Sequence, residues 1–244
     1  MSLMSKTGIE QWNEAAGAFA NEQEQSAFSE MNKAIVKARF PKLSGEKVLD
    51  LGCGYGYYTD YFRSIGGDVI GVDGAPAMIE IAKEKYPDSA FAIADITGKL
   101  PFEDGAFDIV FCNQVLMDID PVGPVFAECR RVLKTGGIFY YSIVHPAFYT
   151  GEWKVDEETG RAGKMVTSYI TPSICENRFW GETKHYHRPM SDYLNGAAEA
   201  GLVLVHADEP KSYEDPGKNE EIPLFFFAEY RKVGEVFWGT SEKE

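Results

Sequence analysis

Residues 48–56 read Val-Leu-Asp-Leu-Gly-Cys-Gly-Tyr-Gly, and this stretch decides the fold. Its first half is an apolar run of the kind found in buried parallel strands, and its second half is a loop with glycine at every second position. Such a loop lets ligand atoms approach the backbone where a Cβ would block them, and a helix that follows it turns its N–H groups toward the ligand. The stretch therefore predicts a strand, a ligand-binding loop and a helix.

Around this stretch, β-rich runs alternate with helical patterns from Glu46 onward. Strands are predicted at 47–51, 68–73, 90–94, 107–112 and 137–144, and helices at 57–64, 75–85 and 122–133. Gly136 and Gly137 are predicted to end the third helix, because glycine tolerates the left-handed cap conformation. The pattern predicts an α/β fold with a Rossmann-like, mostly parallel sheet and helices on both faces.

The segments before and after these alternating strands and helices have patterns of their own. Residues 1–41 form a helical leader that Pro41 closes, and residues 145–190 form an aromatic insertion after the fifth strand, with a hairpin tip at 157–160. Ser191 is predicted to cap a helix that Gly201 stops, and strands at 202–206 and 224–230 bring the sheet to seven. Because no linker splits the chain, we expect one domain over 1–244, with its core at 46–144 and its last helix and strand pair at 191–231. Met4 leaves open whether Met1 to Leu3 are an added leader, and Ser241 to Glu244 are expected to be a solvated end.

The composition excludes several classes of protein. The chain has 24 Lys and Arg against 38 Asp and Glu, a net charge of −14, which disfavours binding to nucleic acid or to anionic membranes. No apolar run is long enough to span a bilayer, and the start lacks the pattern of a signal peptide. The four cysteines form no CxxC pair, so we expect reduced thiols in a soluble cytoplasmic protein without a metal site.

The glycine loop distinguishes between cofactors. A dinucleotide fingerprint reads G-x-G-x-x-G, whereas this loop reads G-x-G-x-G and continues with Tyr57 and Tyr58. Asp50 would repel a diphosphate and attract an ammonium or sulfonium group. Asp73 ends the second predicted strand, at the edge of the sheet where ligands bind, and can accept hydrogen bonds from both hydroxyls of a ribose.

These residues resemble the class I S-adenosylmethionine-dependent methyltransferases, in their small-molecule, type 11-like branch. The first motif of that family is similar to Asp50–Gly56, the second to GVDGAPAM at 71–78, the third to Ala94-Asp95-Ile96, the fourth to the strand before Asn113, and a helix-to-strand turn to 130–137. The resemblance implies S-adenosylmethionine as cofactor, held by Asp50, Gly52, Cys53, Gly54, Gly56, Asp73, Gly74, Met78, Asp95, Ile96 and Asn113. At Gly74 the chain departs from the family, which often carries a larger residue against the adenine. Structural alternatives to cofactor binding stay open for three of these residues: a cap for Asp95, a core position for Met78 and a turn position for Asn113.

The methyl acceptor is expected to bind between this core and the insertion. His145, His185 and His187 are the candidate bases, with hydrogen-bonded histidines that fasten the insertion as the alternative. Tyr149, Trp180, Tyr186 and Arg188 are the candidate substrate residues, although Arg188 could instead pair with an acidic neighbour. The expected function is methyl transfer to a small molecule of unknown identity, mainly by alignment. Two alternatives are a non-catalytic cofactor-binding module and, against the glycine spacing, a nicotinamide-dependent oxidoreductase.

Overall fold

A computed structural model of the chain describes residues 6–23, 26–211 and 218–234. The predictions for Met1–Leu3 and for the tail at 241–244 lie outside these residues. The strands are β1 (Lys47–Leu51), β2 (Asp68–Asp73), β3 (Ala90–Ile93), β4 (Phe107–Asn113), β5 (Leu133–Val144), β6 (Glu152–Val155), β7 (Ala162–Met165), β8 (Ser173–Asn177), β9 (Thr183–His187), β10 (Leu202–Asp208) and β11 (Phe225–Lys232). The helices are α1 (Gly8–Gln23), α2 (Ala27–Arg39), α3 (Tyr57–Ser64), α4 (Pro76–Lys85), α5 (Gly123–Val132) and α6 (Met190–Glu199), and a 3-10 turn spans Leu116–Asp118.

Seven strands form the central sheet in the order β10-β11-β5-β4-β1-β2-β3. Strands β1 to β5 pair in parallel, whereas β11 runs antiparallel to both β5 and β10. The order reverses direction between β1 and β4, and ligands bind at the carboxyl ends of parallel strands beside such a reversal. The predicted fold class, a Rossmann-like and mostly parallel seven-stranded sheet, is confirmed.

Apolar side chains cover both faces of the sheet. On one face, Val36 of α2 and Phe62 of α3 pack with Phe111 and Tyr140, and all four side chains are buried. On the other face, Phe126 of α5 and Tyr193 of α6 pack around Tyr141 and Tyr230. These two layers bury the apolar stripes of the helices and fix the strand ends that carry the site.

Two predicted boundaries are wrong. Gly136 does not end α5: the helix stops at Val132, and Gly136, at φ +82°, lies within β5, where the pairing with β4 shifts register between Phe107 and Ile109. The left-handed backbone of this glycine therefore belongs to an irregularity within a strand. A helix cap would have required the same backbone conformation. Ser191 is not an N-cap, since α6 begins one residue earlier and Pro189 holds the cap position.

The leader packs onto the core instead of standing apart. Asn13 of α1 accepts a hydrogen bond from the backbone N–H of Ala77 at 2.8 Å, which caps α4 because Ala75 at its N-cap has no side-chain acceptor. Ala16 of α1 is buried against Met78. The insertion forms two hairpins, β6–β7 with its turn at the predicted tip, and β8–β9. No described helix is long and apolar enough to cross a membrane.

Candidate functional site

A cavity of about 730 Å³ opens at the carboxyl ends of the central strands. The glycine loop after β1, Asp73 at the end of β2 and the segment after β4 form its floor, while α1, α2 and the two insertion hairpins form its walls. The cavity is large enough for a nucleoside-sized ligand together with a second small molecule. The leader and the insertion, which are far apart in sequence, therefore enclose one site.

Asp50 is a buried acid with few partners. Its side chain lines the cavity, and its Oδ2 accepts a hydrogen bond from the Thr59 hydroxyl at 2.6 Å. Burial, with a smaller contribution from the charge of Asp73, raises the pKa of Asp50 to about 7, although the hydrogen bond from Thr59 acts in the opposite direction. A cation placed beside this carboxyl would favour its ionised form.

Asp73 is held in place by the backbone on both sides. Its Oδ2 accepts from the N–H of Gly54 at 3.0 Å and its Oδ1 from the N–H of Ala75 at 2.9 Å. Burial raises the pKa of Asp73, and these hydrogen bonds oppose that shift. The carboxyl is thereby fixed between the glycine loop and α4, at the edge of the cavity.

The glycine loop has the backbone shape that its sequence predicted. Gly52, Gly54 and Gly56 all have positive φ, at +74°, +52° and +92°. A Cβ on Gly52 would lie 2.6 Å from a methyl group of Val115, so the loop packs directly against the segment after β4. Gly56 does not line the cavity; a Cβ there would lie 2.7 Å from the ring of Phe91, which gives this glycine a packing role.

The structure brings most of the predicted cofactor residues to the cavity. Those that line it are Asp50, Gly52, Cys53, Gly54, Asp73, Gly74, Met78, Asp95, Ile96 and Asn113. Asp95 also closes a turn, because its Oδ1 accepts from the backbone N–H of Thr97 at 2.9 Å and from its hydroxyl at 2.7 Å. Met78 is also core. The structural and functional readings of these two residues are therefore compatible.

A buried polar network fixes the segment after β4. The Ser142 hydroxyl donates to Asn113 Oδ1 at 2.5 Å and accepts from the side-chain amides of Gln114 at 2.9 Å and Asn32 at 3.4 Å. The Tyr58 hydroxyl donates to Asn32 Oδ1 at 2.5 Å. In this network Gln114 Oε1 is buried without a partner among the described residues, and the Gln114 backbone adopts φ +57°. Such strain and such an open acceptor are typical of functional sites.

The predicted acceptor residues separate into two groups. His185, Tyr149, Trp180 and Tyr186 line the cavity, whereas His145, His187 and Arg188 do not. His185 and His187 share one buried face of β9, as their alternation predicted, but of the two only His185 lines the cavity. With Phe179, which also lines the cavity, the insertion supplies one histidine and four aromatic side chains to the site.

His145 and His187 make hydrogen bonds that fasten the chain. His145 Nδ1 accepts from the N–H of Ala147 at 3.2 Å, so its Nε2 carries the proton and donates to Glu209 at 2.6 Å. His187 Nε2 donates to the backbone carbonyl of Tyr169 at 2.9 Å. Neither ring is directed into the cavity, and both match the fastening role that the sequence left open.

Arg188 is buried and bound to the 3-10 turn after β4. Its guanidinium donates to the carbonyls of Leu116 at 3.0 Å and Ile119 at 2.6 Å, and lies 3.4 Å from a carboxyl oxygen of Asp120. These donors are used within the protein itself. Arg188, which directly follows β9, thereby fixes the position of the 3-10 turn that carries Asp118.

Comparison with known proteins finds a family match over the part of the chain that forms the floor of the cavity. Residues 49–141, which contain the glycine loop, Asp73, Asp95 and Asn113, match the type 11 family described as "Methyltransferase domain". Over these residues the chain is similar to a methyltransferase domain. The matched range contains the glycine loop, Asp73 and the segment after β4, which form the floor of the cavity.

Three relatives show the extent of the similarity. The chain is 37% identical over 95 residues to the malonyl-[acyl-carrier protein] O-methyltransferase of Hamiltonella defensa, covering 39% of this chain and 36% of that protein. It is 34% identical over 128 residues to the demethylmenaquinone methyltransferase of Beutenbergia cavernae, covering 52% and 50%. These matches span a third to a half of each relative. A crystal structure of an S-adenosylmethionine-dependent methyltransferase from Mesorhizobium loti aligns with a TM-score of 0.72 at 24% identity, over 86% of this chain and 99% of that one, and shows the same fold.

The residues present fit the cofactor of this family. S-adenosylmethionine carries an α-ammonium, a sulfonium and a ribose, and the cavity offers the buried acid Asp50 and the half-buried acid Asp73 at the ends of neighbouring strands. The hydrogen bonds to Asp50 come from Thr59, and the pKa of Asp50 is raised, which suits a partner that brings a positive charge.

Sequence reasoning missed several residues of the site. Asp118 is the one acid in the otherwise apolar run 115–119, a signal that was available in the sequence. Trp12 and Phe19 of α1 are seven positions apart, on one face of a helix, and both line the cavity. Gln114 gave no signal, because its strained backbone and open acceptor exist only in the folded chain.

Proposed function

We propose that the protein transfers a methyl group from S-adenosylmethionine to a small-molecule acceptor. One observation carries the proposal: a single cavity holds the buried acid Asp50, the half-buried acid Asp73 and an aromatic compartment lined by Tyr149, Trp180 and Tyr186. The acids suit a cationic ribonucleoside, and the second compartment suits a molecule that receives the methyl group. The net charge of −14 favours a small neutral or cationic acceptor over nucleic acid.

Each cofactor-binding residue has a role in this proposal. Asp73 accepts hydrogen bonds from the ribose hydroxyls, and Asp50 faces the α-ammonium. Gly52, Cys53 and Gly54 border the methionine part, and Asn113 lines the pocket beside it. Asp95 faces the adenine amino group, with Ile96, Met78 and the backbone at Gly74 along the ring. Gly56 does not contact the cofactor in this proposal and supports the loop through its packing on Phe91.

The chain promotes the reaction mainly by alignment and by the exclusion of water. When bound, the cofactor supplies an activated methyl group that is displaced in line by the acceptor. Trp12 and Phe19 of α1 contact Trp180 of the insertion, with ring centroids 6.1 Å and 5.2 Å apart, and so close one side of the cavity. Tyr149, Trp180 and Tyr186 form the walls against which the acceptor is held.

The remaining predicted residues take structural roles in the proposal. His145 and His187 fasten the insertion, and Arg188 supports the turn before Asp120 rather than a substrate carboxylate. Two of the relatives are named for malonyl-[acyl-carrier protein] and demethylmenaquinone, acceptors of different chemistry. A cytoplasmic location and the absence of a metal remain predictions from the sequence.

A single-turnover assay tests the proposal. The protein is incubated with S-adenosylmethionine labelled in the methyl group and with pools of hydroxylated, carboxylated and amine-bearing metabolites, and the label is followed into small-molecule products. We expect label in at least one pool, and none with an Asp73→Ala variant. Tight cofactor binding without transfer to any pool would favour a non-catalytic binding module, and loss of both would contradict the proposal.

A further inference from the structure

Asp118 and His185 form an acid–imidazole pair in the cavity. Asp118 Oδ1 lies 3.9 Å from His185 Nδ1, and the two side chains are 11% and 5% exposed. In the part of the chain that the structure describes, no residue lies within hydrogen-bonding distance of the Asp118 carboxyl oxygens or the His185 ring nitrogens. Both residues line the cavity, so these polar atoms are available to a ligand.

The pair is rigidly supported. Arg188 holds the 3-10 turn that carries Asp118 by its bonds to the carbonyls of Leu116 and Ile119. The Tyr149 ring packs on the His185 imidazole with centroids 4.5 Å apart, and the Tyr149 hydroxyl donates to Asn177 at 3.0 Å. A planar ring next to the imidazole would therefore meet an aromatic wall that is already fixed.

Burial disfavours the charged form of both members of the pair. Burial raises the pKa of Asp118 well above its usual range, and the charge of Arg188 opposes this. Burial, followed by the charges of His187 and Arg188, lowers the pKa of His185 to about 4. Cys175 faces His185 across the β8–β9 hairpin. In their uncharged forms the Asp118 carboxyl donates a hydrogen bond and the His185 imidazole accepts one.

We infer that the acceptor presents a hydroxyl group on a planar ring to Asp118 and His185, and that His185 receives the proton of that hydroxyl. This inference rests on the proposed function. The acceptor oxygen forms a bond to the methyl carbon while the carbon–sulfur bond breaks and its electron pair stays on sulfur. The hydroxyl proton passes to a ring nitrogen of His185, so the positive charge moves onto an imidazolium beside Asp118.

The other two acceptor classes fit this pair less well. A carboxylate has no proton for His185 to receive, and the donors of Arg188 that could pair with it are taken up by the turn. An ammonium would meet the positive charge of Arg188, which already acts on both Asp118 and His185. A hydroxyl both donates and accepts, which matches one donor and one acceptor in the protein.

Three probes that share one ring system test the inference: 2-naphthol, 2-naphthoate and 2-naphthylmethylamine. Their affinities are measured by calorimetry with saturating S-adenosylhomocysteine for wild type, Asp118→Asn, His185→Gln and the control His187→Gln. We expect naphthol to bind wild type at least about tenfold more tightly than the other two. We expect that preference to fall by about fivefold or more in Asp118→Asn and His185→Gln, and to persist in His187→Gln.

Binding of S-adenosylhomocysteine by every variant shows that each is folded and separates the two proposals. If wild type does not bind that product, the proposed function fails. If it binds the product but not naphthol, or prefers the carboxylate or the amine, this inference is overturned while the proposed function stands. A naphthol preference that survives unchanged in both Asp118→Asn and His185→Gln would overturn it as well.

Discussion

Gly74 lies directly against Ile9: a Cβ on Gly74 would be 2.9 Å from Cγ1 and 3.0 Å from Cδ1 of Ile9. Ile9 belongs to the leader helix α1 and lines the cavity. The apolar side chain that the family often carries after the ribose-binding acid is thus absent at position 74, and one from the leader occupies the adjoining space. In our account the leader completes the adenine side of the cofactor pocket.

Replacement of these two residues should therefore show coupling. Ile9→Ala should weaken S-adenosylhomocysteine binding about three- to tenfold, because apolar area against the adenine is lost. Gly74→Leu should also weaken it, since the new side chain must displace Ile9. The double variant should bind more tightly than the two single effects predict when added. Calorimetry measures the affinities of all three variants, with Glu14→Ala on the exposed face of α1 as the control. Strictly additive effects would argue against the claim that Ile9 replaces the side chain missing at position 74.

Cofactor binding should release a proton near Asp50. The pKa of Asp50 is raised to about 7 in the free protein, and an ammonium beside it should lower that pKa. At about pH 6, binding of S-adenosylhomocysteine should release up to about one proton, and at about pH 8 almost none, because the carboxyl is then already ionised. Calorimetry in buffers of different ionisation enthalpy counts the protons. An Asp50→Asn variant that releases as many protons as wild type would show that another group is responsible.

The same raised pKa predicts how stability depends on pH. A carboxyl whose pKa is higher in the folded than in the unfolded chain stabilises the fold at low pH, and this contribution is lost as pH rises from about 4 to about 7. The stability of Asp50→Asn relative to wild type, measured as the difference between their free energies of unfolding, should therefore increase across that range. Urea titrations at several pH values measure it, and a difference that does not vary with pH would contradict the assignment.

Gly56 should matter for folding rather than for ligand contact. Gly56→Ala must place a side chain at φ +92° and 2.7 Å from the Phe91 ring, so we expect a loss of about 2–4 kcal/mol in the free energy of unfolding. Gly45 has φ +90° with no atom within 4 Å of a Cβ, so Gly45→Ala should lose only about 1 kcal/mol. Equal losses in urea titration would mean that the packing on Phe91 contributes nothing.

The floor of the site could be predicted from sequence because local patterns determine it. Strand, glycine loop and strand-terminal acid lie within residues 47–73, and the carboxyl ends of parallel strands meet at one edge of a sheet. The walls could not be predicted in this way. Ile9, Trp12 and Asn32 reach the cavity through packing between segments far apart in the chain, which periodicity does not encode. His145 and Arg188 have the chemistry of site residues, but their hydrogen-bond partners are set by tertiary structure.

Calorimetric titration with S-adenosylhomocysteine tests the central claim, that Asp73 and the glycine loop hold a methyl donor of this class. Asp73→Asn is compared with Asp68→Asn, a matched change at the exposed opposite end of β2. We expect micromolar binding by wild type and by Asp68→Asn, and binding weakened about tenfold or more in Asp73→Asn, from the loss of charged hydrogen bonds to the ribose. Equal affinity of all three proteins, or no binding by wild type, would contradict the account.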